Sequence, residues 1–191
     1  MIPVGHRALV AVERADGRYD CHYSHGGAHE CGLLDSLAAV TESGASASGD
    51  HDEKPSVDPH TVPGVDPAPL ATGVSFETVV DTHLDFCTYE ACYRIDRDGT
   101  EPFFVCWFGF PAVETDRSGA GALIGIDAAD ARADGALVRG WFTGTKGVLA
   151  AAVDEGRLTP AEARDRLRVR LRAWAGDRTV VFGPGADGAS E

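Results

Sequence analysis

Apolar residues dominate Arg7–Glu13, aromatic residues recur through Arg18–His25, and Asp16-Gly17 stands between the two runs. Asp-Gly in that setting predicts a β-hairpin, because a tight primed turn needs positive φ at its central residues. Taken as a two-residue loop, Asp16-Gly17 pairs Ala15 with Arg18, Val12 with Cys21 and Val10 with Tyr23. Side chains alternate between the faces of a strand. One face then carries His6, Ala8, Val10, Val12, Tyr19, Cys21, Tyr23 and His25, and the other Leu9, Ala11, Asp20, His22 and Ser24. The first is the more apolar and is the one expected to be buried.

Beyond the hairpin, Leu33, Leu34, Leu37 and Val40 fall at helical spacing. Ser75 can cap a helix over Phe76 to about Glu90, with Phe76, Val79, Val80, His83, Leu84 and Cys87 as its apolar stripe. A second hairpin is expected from Cys92–Ile95, the turn 96–99 and the arm Pro102–Phe110. That arm, apolar on both sides, reads as a strand covered on two faces. A polar loop over 113–121 and a strand over Ala122–Ile126 follow. Ala136–Glu155 keeps helical intervals despite Gly140, Gly144 and Gly147, which suggest close approach of a backbone or ligand. Thr159-Pro160-Ala161-Glu162 is a capping box with proline in the first turn, so another helix starts there. Its arginines flank the stripe Ala163, Leu167, Leu171 and Trp174, and Arg178–Phe182 reads as a last strand.

These elements predict a single α+β domain: an antiparallel or mixed sheet of about five strands with helices packed on it. Residues 1–40 supply the hairpin and a short helix, 71–183 the remainder, and 184–191 a flexible tail. Residues 41–70 are expected to be a disordered insertion. Five of the ten prolines lie there with few large apolar residues, too few to offset the entropy of ordering.

Charge changes the picture of the surroundings. The chain of 191 residues has a net charge of −13, and Lys54 and Lys146 are its only lysines. Abundant carboxylate with little lysine suits concentrated salt, where the Debye length falls to about 3 Å and self-repulsion is screened. The acidity therefore says little about partners. Cys21, Cys31, Cys87, Cys92 and Cys106 are odd in number, without a CxxC pair or a secretory leader, which favours free thiols in a cytoplasmic setting. The longest apolar run, Phe103–Val113, is interrupted by Gly109 and Pro111 and is short of the ~20 residues a spanning helix needs.

The blocks GHRALVA, HYSH, HLDF, GWFTGTKG and LTPAEAR together resemble a family of small, acidic, uncharacterised haloarchaeal proteins. The resemblance covers most of the chain outside the 41–70 stretch. It implies a haloarchaeal cytosolic setting, supplies no catalytic residues, and differs here in having Gly26 where the family pattern has tryptophan.

Three kinds of chemistry can be weighed. His25, His29 and Cys31 could converge on zinc if their loop coils, with His6 reaching across; Cys21 and His25, about 13 Å apart on an extended strand, cannot share one ion. Asp20, His22 and Ser24 are triad residue types, but they alternate along a single strand about 6.8 Å apart and read as a polar face. Cys21 on an apolar face is expected to be inert. Arg139 and Lys146, seven positions apart on one helix, share a face and could hold an anion. His83 and the three tryptophans read as core, and the arginines of the last helix as a salt-bridged, solvated face rather than a nucleic-acid surface.

The reading is a domain that binds a small ligand, an anion among the candidates, or a protein partner between the N-terminal hairpin and the Lys146 helix, with His6, His22, His25, Arg139 and Lys146 as its candidate residues. A metal-dependent enzyme at His25, His29 and Cys31 is the alternative, and an arginine-helix nucleic-acid module the second. The residues leave open whether it is an enzyme.

Overall fold

The computed structural model describes residues 6–37, 58–110 and 120–184. The hairpin forms from β1 (Arg7–Glu13) and β2 (Tyr19–His25), but one residue out of the expected register: Val10 faces His22 and Ala11 faces Cys21. The loop is longer than Asp-Gly alone. Arg14 N–H donates to Arg18 O at 2.7 Å, Gly17 N–H donates to Arg14 O at 3.0 Å, and Gly17 takes φ +78°. Asp16 holds the turn by accepting from Arg18 N–H at 3.1 Å. This is a three-residue loop, a type I turn closed by a left-handed glycine, and Asp-Gly serves it as well as the two-residue form.

The slip re-sorts the faces. Tyr19 and Cys21 lie with Leu9 and Ala11, while His22 and Ser24 lie with Ala8, Val10 and Val12. Both faces of β1 are buried, so the expectation of one solvent face is corrected.

The sheet has seven strands in the order β3-β2-β1-β4-β5-β6-β7, with β1 and β4 (Ala91–Asp96) parallel and every other neighbour pair antiparallel. It is mixed, as one alternative held, and larger than about five strands. The additional edge strand β3 (Ala71–Val74) has no alternation to announce it and pairs with β2 across a bulge. β5 (Gly99–Trp107) joins β4 through the expected hairpin and is interior, and β6 (Gly121–Gly125) and β7 (Val180–Phe182) complete the far edge.

Residues 33–37 open a helix, α1, on the Ala8/Val10 side. The expected disordered stretch falls in two parts. Residues 41–57 lie outside the described residues; 58–70 run along β2, with Val62 and Val65 buried and Asp66 and Leu70 N–H donating to Tyr23 and Cys21 O. Two valines and the free edge of β2 suffice to seat it.

Ser75 caps α2 (Phe76–Thr78) as expected, accepting from Thr78 N–H at 3.1 Å. The helix does not reach Glu90. It widens into a π turn over Val79–His83 and stops where Leu84 turns extended. Asp85 then competes for the backbone: its carboxylate accepts from Cys87 N–H at 2.9 Å and from Thr88 Oγ at 2.6 Å. The arrest frees Phe86 to seat its ring against Gly121 and Gly183.

The two long helices, α3 (Ala131–Asp154) and α4 (Pro160–Ala175), cover the other half of the sheet, burying Phe142, Leu149, Leu167 and Leu171 over Cys106 and Ile124. Thr159 and Glu162 make the full capping box. Trp141 of α3 stacks on Trp174 of α4 with centroids 4.4 Å apart. The expected loop at 113–121 and tail at 184–191 lie almost wholly outside the described residues. No described helix is long and apolar enough to cross a membrane.

Candidate ligand-binding cleft

Where α3 passes the turn 85–90, the two do not meet. A cleft of about 500 Å³ opens there, with Phe86, Tyr89, Phe104, Trp107 and Phe142 among its walls. A smaller hollow of about 160 Å³ adjoins it beneath the first turns of α3, lined by Ala28, Cys31, Ile126 and Gly135. Glu90, Phe104 and Arg139 line both.

The backbone holds Glu90 firmly at this junction. Its N–H donates to Arg7 O at 2.9 Å, and its carbonyl accepts from Val105 N–H at 3.1 Å, so it is tied to β1 and β5 at once. Glu90 Oε2 pairs with His6 Nδ1 at 3.2 Å, and the His6 ring meets His29 with centroids 4.6 Å apart. The His29 loop is drawn in by Ala28 N–H donating to His6 O and by the buried Tyr93 hydroxyl donating to Gly27 O at 2.7 Å.

Arg139 and Lys146 both face the cleft, because seven residues are close to two helical turns. They are held differently. Arg139 is exposed at the rim, its guanidinium 5.8 Å from the Phe104 centroid, and among the described residues no carboxylate pairs with it. Lys146 is half-buried; Nζ donates to Trp107 O at 2.7 Å and sits 4.2 Å over the Trp107 ring. It also braces the end of β5.

The remaining candidates are placed elsewhere. His22 is buried, its Nδ1 3.0 Å from Asp66 O, on the sheet face the register slip gave it. His25 is exposed and meets the Tyr23 hydroxyl at 3.1 Å; Tyr23 in turn packs edge-on against Tyr89 of the cleft wall. His25, His29 and Cys31 therefore do not form a ligand set: His29 lies on His6, and the Cys31 thiol donates to Ala131 O at 3.6 Å. Among the described residues no three histidine, cysteine or carboxylate side chains are grouped to hold a metal ion.

The buried and half-buried thiols offer little nucleophilicity. Burial pushes Cys21 up to about 12, and Cys92 and Cys106 are raised by the same cause. Burial raises Cys31 as well, against the pull of the nearby Arg139 guanidinium. Burial, and then Tyr23, raises the Tyr89 hydroxyl above its usual range, which keeps it a neutral donor at the cleft. Two of the α4 arginines lie against neighbours: Arg172 sits 4.5 Å over Phe182 and Arg168 pairs with Asp165 at 3.5 Å.

Sequence reasoning missed Glu90, Tyr89 and Phe104. Glu90 falls at the far end of the expected helix, whereas the helical run ends at His83, seven residues before it. The Asp85…Thr88 spacing of a side-chain-closed turn was the one available signal. Conversely, no described backbone comes close to Gly140 or Gly144, and a Cβ on either would meet open space; Gly147, equally open, lines the cleft.

No curated protein and no solved structure matches the chain. A family model matches residues 4–182, almost the whole length, and the chain belongs to that family, DUF6735, a family of unknown function.

Proposed function

We propose that this domain binds a small anionic molecule with a flat apolar part in the cleft between α3 and the turn 85–90. One observation carries the reading: two cations two helical turns apart face a cleft of about 500 Å³ whose walls are aromatic. Pockets of this size, mostly apolar with a few placed polar groups, are the usual form of small-molecule sites. Arg139 can give an anion a forked pair of hydrogen bonds, and the apolar walls raise their strength by excluding water. Lys146 adds positive potential while keeping Trp107 in place. His6 belongs to the site through Glu90. His22 and His25 take no direct part in it.

The reading keeps the expectation of a salt-adapted cytosolic protein, and the experiment is set accordingly. Thermal melts in concentrated KCl with phenyl phosphate, benzoate, indole-3-propionate and inorganic phosphate should raise the melting temperature for the aromatic anions. The rise should shrink by more than half in Arg139→Gln. An unchanged melting temperature across the whole panel would reject the proposal.

A further inference from the structure

The site carries more information than two cations. Glu90 is a carboxylate in a cleft otherwise suited to anions, and it lines both compartments, as Arg139 does. The two opposite charges make no ion pair with each other among the described residues. Glu90 Oε2 is engaged by His6, and Oε1 has no hydrogen-bond partner among the described residues. Arg139 stacks on Phe104 with its donors turned to no carboxylate. An acid and a base held apart on one junction, each on a separately anchored element, match a ligand that carries both charges itself.

We infer that the ligand is an α-amino acid with a large flat side chain; this rests on the cleft-binding reading above. Its carboxylate takes the Arg139 fork and its ammonium takes Glu90 Oε1. Its α-carbon sits at the shared junction, where the smaller compartment has room for the head group. Its side chain enters the larger compartment between Phe104, Trp107 and Phe142. Trp107 is already fixed there by Lys146 over its ring and by the close backbone of Gly109, where a Cβ would overlap the ring. Gly147, lacking a side chain, leaves the α3 wall low at that point. A simple carboxylate would leave Glu90 facing an anion, and a simple amine would leave Arg139 facing a cation. Each arrangement costs a charged contact, so only the zwitterion satisfies both.

The test compares four indoles that share one ring. Wild-type protein in concentrated KCl is titrated calorimetrically with tryptophan, indole-3-propionate, tryptamine and indole. Tryptophan should bind at least tenfold more tightly than any of the other three, as the loss of one charge-assisted hydrogen bond implies. Glu90→Gln, which keeps the side chain's shape, should erase the preference for tryptophan over indole-3-propionate while indole-3-propionate still binds. Indole-3-propionate binding as well as tryptophan would overturn the inference and leave the anion-binding proposal standing. No heat with either compound, or heat with tryptamine or indole alone, would overturn both. A Glu90→Gln protein that retains the full preference would remove Glu90 from the site and the inference with it.

Discussion

Asp134 and Arg178 are 44 residues apart, and their guanidinium–carboxylate pair joins the start of α3 to the chain leading into β7. Asp134 also accepts from Asp127 N–H at 2.8 Å, and its side chain is only 11 % exposed. The Arg178 guanidinium, first of all, holds the Asp134 carboxyl below the usual carboxylate range. A carboxyl depressed by folding stabilises the native state above its unfolded value, about 3.9, and that contribution is lost as pH falls through the lower folded value. Asp134→Asn should therefore cost roughly 2 kcal/mol at pH 7 in urea unfolding. The gap between wild type and variant should close as the pH is taken below about 4. A gap that stays constant over that range would mean the pair does not act through charge. Nothing in the spacing of two residues so far apart could have announced this contact, whereas Thr159 and Glu162 announced theirs by lying three apart.

At the scale of elements, local chemistry was right about where things start and often wrong about how far they run. Ser75 caps α2 where expected, yet a stripe of apolar residues suggested four turns and the chain made fewer than two before Asp85 closed its own turn. Of the stripe, Val79, Val80 and Leu84 are buried and Cys87 is exposed, while Phe86, outside it, is buried. Phe86 explains the outcome. Its ring lies on β6 where a Cβ at Gly121 would stand 2.3 Å from a ring carbon and 2.6 Å from Cys106 O. Gly121→Ala should thus overpack a site with backbone on one side, costing about 1–3 kcal/mol by urea unfolding. Because Phe86 also walls the cleft, the same variant should weaken the ligand-induced rise in melting temperature. Unfolding at the wild-type midpoint would show that the ring can move aside and that the turn 85–90 is not fixed by it.

For the whole molecule, the core falls into three packed clusters, one on each side of β1 and one beneath α3 and α4. A carboxylate-rich surface surrounds them, with a net charge of −13. Raising KCl from 0.1 to 1 M shortens the Debye length from about 10 Å to about 3 Å. The melting temperature should rise over that interval as self-repulsion fades, and a flat or falling curve in KCl would remove the argument for salt adaptation. The sequence alone determined what depends on neighbours within a few residues: the caps at Ser75 and Thr159, the turn at 96–99, the two-sided apolarity of β5, and the shared face of Arg139 and Lys146. It also sufficed for the α+β class, because strand and helix periods differ. Only the tertiary structure decided the hairpin register, since Asp16-Gly17 suits two loops and a shift of one residue exchanges the faces. It alone decided the pairing of β3, the parallel contact of β1 with β4, and the placing of Glu90 and Arg139 along one cleft. Those depend on which distant segments fill the remaining edges and hollows, a competition among long-range contacts that no local spacing records.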